Sequence, residues 1–238
     1  MRYIAIFILL LPAVHALNID LSVEKVFVGE VKSFVYNDSF AVKQFSGEFL
    51  NPGSVPYSAR ARVDVFEDDN IVFTAWSEKM VLMPGNTAPF RLSWVPEEGG
   101  DYTARLRAYY GGEIVENTMN LSVSAKEVKK TVSINNVRVF DNLVLVELTS
   151  EKDKDEIYVV PSGFPRDWIF TQGMIGGIKA NERRLVLLSY IPSVWTPQNI
   201  TIYAGSGDAV KAKSLVMERE TGLTALLYRI LYGFSFGQ

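Results

Sequence analysis

The sequence predicts an all-β fold that ends in one short helix, and three observations carry that expectation. Apolar and polar residues alternate over short runs, Gly, Pro and Asn turn signals separate the runs, and a helical period appears only after residue 217. At 238 residues, with 48% apolar and 12% aromatic content, the chain has material for one large core or two ordinary ones. The formal net charge of −3 is spread along the chain, so no basic block points to nucleic acid as a partner.

Residues 1–16 have the parts of an export signal. Arg2 supplies the positive start, Ile4 to Leu11 the apolar run, and Val14-His15-Ala16 the small residues at a cleavage site. The run is far shorter than the ~20 apolar residues of a bilayer span. The expected product is therefore secreted, extracellular or held at the cell surface, with its mature chain starting at Leu17. No cysteine is present, so packing and strand pairing must hold the fold.

Cleavage would also remove His15, the single histidine. A mature chain with neither imidazole nor thiol has no serine triad, no cysteine nucleophile and no ligands for most zinc sites. Paired carboxylates and oxygen-ligated calcium survive that exclusion. The expectation is a protein that is not an enzyme and carries no cofactor or metal.

Taken in order, Ile19, Leu21 and Val23 alternate first, then Phe45, Gly47 and Phe49. Ala59, Ala61, Val63 and Val65 follow, then Phe90, Leu92 and Trp94, then Tyr102, Ala104, Leu106 and Ala108, and finally Val115, Met119, Leu121 and Val123. Turn signals at Asn51-Pro52-Gly53, Met83-Pro84-Gly85 and Glu98-Gly99-Gly100-Asp101 punctuate this series, which predicts an immunoglobulin-like β-sandwich over 17–124. A polar linker is predicted over 125–130. A second sandwich follows over 131–217, with strands at Val132 to Phe140, Leu143 to Leu148, Ile157 to Val160, Arg184 to Tyr190, Ile200 to Ala204 and Val210 to Met217.

Residues 218–238 close the chain as an amphipathic helix and tail. Leu223, Leu226, Leu227, Ile230 and Leu231 form one apolar stripe, with Thr221 placed as N-cap and Gly233 as stop. Such a stripe must be covered, by a partner's groove, by a membrane interface or by the second sandwich itself.

Candidate sites come from strand parity. Arg60 and Arg62 oppose Ala61 and Val63, and Arg105 and Arg107 oppose Ala104 and Leu106, so all four arginines should face solvent on neighbouring strands. Their planar donors suit an anionic group, whereas Asp64, Glu113 and Glu116 could neutralise them in cross-strand pairs, the arrangement favoured by like-charge repulsion. Trp168 and Trp195 lie in Pro-rich loops and could stack on a glycan, or plug the open end of the sandwich. Sequons at Asn37, Asn120 and Asn199 offer glycosylation sites, with Asn120 outward on its strand. The acidic run Glu151 to Glu156 lacks the glycine and spacing of a calcium loop and is expected as a solvated hairpin turn.

Asn51-Pro52-Gly53, Val63-Asp64-Val65-Phe66-Glu67, Pro84-Gly85, Phe90-x-Leu92-x-Trp94 and Gly100-Asp101-Tyr102 resemble the cell-adhesion-related CARDB domains of bacterial and archaeal surface proteins. Through Pro161-Ser162-Gly163-Phe164-Pro165-Arg166-Asp167-Trp168 the second half is similar to the immunoglobulin-like repeats associated with NPCBM domains. Those resemblances imply a non-catalytic extracellular module for adhesion, spacing or assembly. Surface or assembly proteins are the expected partners, glycans the alternative.

Overall fold

A computed structural model describes residues 27–124 and 131–218. The first half contains β1 (Glu30–Asn37), β2 (Lys43–Leu50), β3 (Tyr57–Glu67), β4 (Asn70–Trp76), β5 (Met80–Leu82), β6 (Thr87–Trp94), β7 (Gly100–Tyr110) and β8 (Glu113–Val123). The second contains β9 (Val132–Phe140), β10 (Leu143–Ser150), β11 (Lys154–Ser162), β12 (Ile169–Phe170), β13 (Gly173–Ile178), β14 (Arg183–Ile191), β15 (Gln198–Ser206) and β16 (Ala209–Met217). Sheets ordered β1-β2-β6 and β4-β3-β7-β8, with β5 on β3, form one sandwich. Sheets ordered β12-β14-β10-β9 and β13-β11-β15-β16 form the other. Over the described residues the chain is all-β, two immunoglobulin-like sandwiches in tandem.

Alternation explains the first core. Ala59, Ala61, Val63 and Val65 of β3 and Ala104, Leu106 and Ala108 of β7 are buried on one face, opposite Phe45, Phe90, Leu92 and Trp94 of β2 and β6. Small alanines on one sheet leave room for large rings on the other, and each large side chain removed from water contributes about 1.5–3 kcal/mol. Trp94 stacks on Phe45 and Phe73 and meets Tyr102 edge-on.

Turn chemistry matches its sequence signals. Asp68 at φ 52° and Asn142 at φ 64° take the left-handed conformation in the β3–β4 and β9–β10 hairpins, which short polar side chains tolerate. Asn51 is buried and organises its loop: its amide donates to the carbonyls of Val55 and Leu82, and its Oδ1 accepts from Gly53 N–H. Gly47 sits beside the β-bulge at Val31/Ser33, where a Cβ would run into the Ser33 carbonyl and the Phe90 ring.

Five strands lie where no strand is expected from sequence: β1, β4, β5, β12 and β13. β1 is only half-buried along its length, and β13 carries three glycines in six residues, so neither presents clean alternation. The acidic run is not a hairpin turn. β10 and β11 belong to different sheets, so Glu151 to Asp153 make a corner between them, fixed by Ser150 Oγ, which donates to the Lys152 carbonyl. The strand expected at Ile19 to Val23, the linker over 125–130 and the helix with Leu223, Leu226, Leu227, Ile230 and Leu231 lie outside the described residues.

The sandwiches are not independent bodies on a spacer. Tyr158 and Val160 of β11 and Val210 of β16 join the core cluster of Phe45, Trp94 and Val42.

Candidate binding surfaces

The four arginines do share a face. β3 pairs with β7 in a register that sets Arg62 opposite Arg107 and Asp64 opposite Arg105. At its centre Asp64 is 0% exposed although it points away from the sandwich core. Arg62 reaches its Oδ1 at 2.8 Å, Thr74 donates to the same oxygen at 2.7 Å, and Arg107 reaches Oδ2 at 3.3 Å. Arg107 Nε also donates to Glu116 at 2.8 Å. Burial opposes the charge on Arg107, but hydrogen bonds to Tyr109 and Glu116 and the Asp64 carboxylate outweigh it and raise its pKa.

Aromatic rings cover the rest of the face. The Arg62 guanidinium lies 5.3 Å over Trp76, which packs on Tyr109, and Arg105 lies 4.9 Å over Phe66. Half of the expected neutralisation is thus realised at Arg62 and Arg107. Arg60 and Arg105 have no carboxylate partner among the described residues.

Of the two uses open to Trp168, the burial excludes the stacking platform: it is 1% exposed and stacks on Tyr190 and Trp195. Trp195 is half-buried on the same cluster. Both tryptophans plug the end of the second sandwich. Asn37, Asn120 and Asn199 are all exposed. Asn37 Oδ1 accepts from Ser39 N–H at 2.8 Å, closing an Asx-turn across its sequon.

The junction between the sandwiches carries no signal in the sequence pattern. Gln172, between β12 and β13, donates its side-chain amide to the Ser93 carbonyl and accepts from Ser93 N–H, both at 2.5 Å. It thus occupies the open edge of β6 as a strand residue would. Beside it Thr171 makes a parallel bridge to Trp76 at the end of β4, and Ala41 N–H donates to the Gly207 carbonyl at 3.1 Å. Nothing in the pattern around Gln172 marks this role. Lys43 is different, since it has the inward parity of Phe45 and could have been flagged. It is 1% exposed, its Nζ 2.6 Å from Asp38.

Where the sandwiches diverge they leave a groove of about 670 Å³. One wall is the outer face of β1-β2-β6, with Val35, Glu48 and Arg91; the other carries Tyr158 of β11 and Met174 of β13, and Glu78 closes one side. The Tyr158 hydroxyl donates to Glu156, and burial together with that carboxylate raises its pKa.

No family model matches the chain, and no curated protein matches it. Among solved structures it is similar to red sea bream transglutaminase, at 11% identity and a TM-score of 0.33, over 82% of this chain and 32% of that one. It is also similar to the N-terminal periplasmic domain of ScsB from Proteus mirabilis, at 6% identity and a TM-score of 0.31, over 79% of this chain and 92% of that one. The class 5 fimbriae chaperone CfaA matches at 9% identity and a TM-score of 0.31, over 82% of this chain and all of that one. The chain spans about a third of the transglutaminase's length.

Proposed function

We propose that this is an exported, non-catalytic protein that works through protein contacts at the cell surface, as a stiff bracket of two sandwiches. The observation that carries this reading is the junction, where a shared apolar core, the Gln172 side chain on the Ser93 backbone and the Thr171–Trp76 bridge join the two sandwiches. Such a joint serves a spacer or an assembly component, which must present its faces in constant geometry. The resemblance of its turn and core residues to adhesion-related surface domains points the same way.

Glycan binding loses its main support with the burial of Trp168. Protease treatment of intact cells tests the proposal. Loss of the full-length band, with N-terminal sequencing giving Leu17, is the expected result. A protected protein that retains Met1 would overturn it.

A further inference from the structure

We propose that the groove between the sandwiches takes an extended segment of a partner protein, basic and apolar in alternation, which pairs with the free edge of β13. The inference deepens the protein-contact reading above and rests on it. The groove is lined by β6 residues Pro89, Phe90, Arg91 and Ser93 and by the start of β13 at Gly173 and Met174, and the edges of these two strands differ. The β6 edge is partly taken, because Gln172 occupies Ser93 and Pro89 has no N–H to offer. β13 pairs only with β11 among the described strands, so its other edge keeps its backbone donors and acceptors unpaired. Farther along β13, past the groove lining, Gly176 and Gly177 have open space where a Cβ would stand, so no side chain shields the strand there. An added strand satisfies those groups, as peptides do on other sheet edges.

Side chains then select the strand. Val35 is 55% exposed and Met174 is 51% exposed on facing walls, a site for apolar side chains from one face of the guest. Glu48 and Glu78 are exposed and have no cationic partner among the described residues. Arg91, the basic residue of the lining, already leans on Glu156 at 3.9 Å and on Met174 sulfur at 3.9 Å. With Glu48 and Glu78 against Arg91, the lining is net negative, and lysine or arginine on the guest complements the two carboxylates.

The test uses the purified chain from Leu17 and a labelled peptide of about eight residues alternating Lys and Val, long enough to cover one strand. Fluorescence anisotropy should show saturable binding that weakens roughly tenfold or more in the Glu48→Lys/Glu78→Lys double variant. Glu113→Lys, at the far β7–β8 turn, should leave binding unchanged. N-methylation of alternate peptide amides should abolish binding in one frame only, the signature of strand pairing. Equal binding of a Glu-Val peptide, insensitivity to the double variant, or indifference to N-methylation in both frames would overturn the proposal. So would a concentration-dependent dimer abolished by the double variant, which would make a second copy the occupant. These measurements do not depend on cell location, so their failure would leave the protease experiment standing, and the reverse.

Discussion

Asp64 is a carboxylate buried on the outside of a sheet, held by two guanidiniums and a hydroxyl. Asp64→Ala would leave Arg62 and Arg107 facing each other across the β3–β7 register, and loss of a buried ion-pair partner costs about 3–5 kcal/mol. Chemical denaturation should report a loss of that order. Arg105→Ala, by contrast, removes only a ring contact on Phe66 and should cost about 1 kcal/mol or less. Lys43 and Asp38 add a pH dependence. Burial works to raise the Asp38 pKa, but the Lys43 ammonium 2.6 Å away and the Tyr36 hydroxyl outweigh it and hold the carboxyl below its ordinary value. A folded pKa below the unfolded one gives stability that is complete above the ordinary carboxylate range and is lost as pH falls through the lowered value. Asp38→Asn should therefore flatten the decline in stability as pH falls below about 4, and lower stability at neutral pH by stranding the buried Lys43.

At the level of strands, legibility followed burial. Strands with one buried and one wet face, such as β3 and β7, announce themselves by parity, and so do the outward positions of their arginines. β13 stays hidden because glycine carries no hydrophobic signal, and β12 because two residues cannot show a period. The candidate sites fared less well for a related reason. Parity tells in from out along a strand, but Trp168 lies in a loop, where no alternation marks it as core. Gln172 owes its role to a partner 79 residues away, which no local pattern encodes. Gln172→Ala removes two backbone-mimicking bonds at the β6 edge, each worth about 1 kcal/mol. Hydrogen exchange should show the Ser93 amide losing protection while Val63 and Val146, in the sandwich cores, keep theirs.

At the largest scale, the described residues of both sandwiches share one apolar core cluster. Phe45, Trp94, Tyr158 and Val160 belong to a single cluster, so calorimetry of the full chain should show one cooperative transition. Tyr158→Ala, which empties part of the junction, should split it into two. Chelator should leave either profile unmoved, because among the described residues no three acidic groups gather as ligands would.

The pairing of Gln172 with Ser93 also sets a schedule. Ser93 leaves the ribosome 79 residues before the side chain that closes its strand edge. At ~5–20 residues per second the gap is roughly 4–16 s, during which the β6 edge and the Trp94 side of the first sandwich stand uncovered. A nascent chain paused in that interval is a template for pairing with its neighbours. The first half, expressed alone as residues 17–124, should accordingly self-associate where the full chain stays dispersed, and light scattering would register the difference.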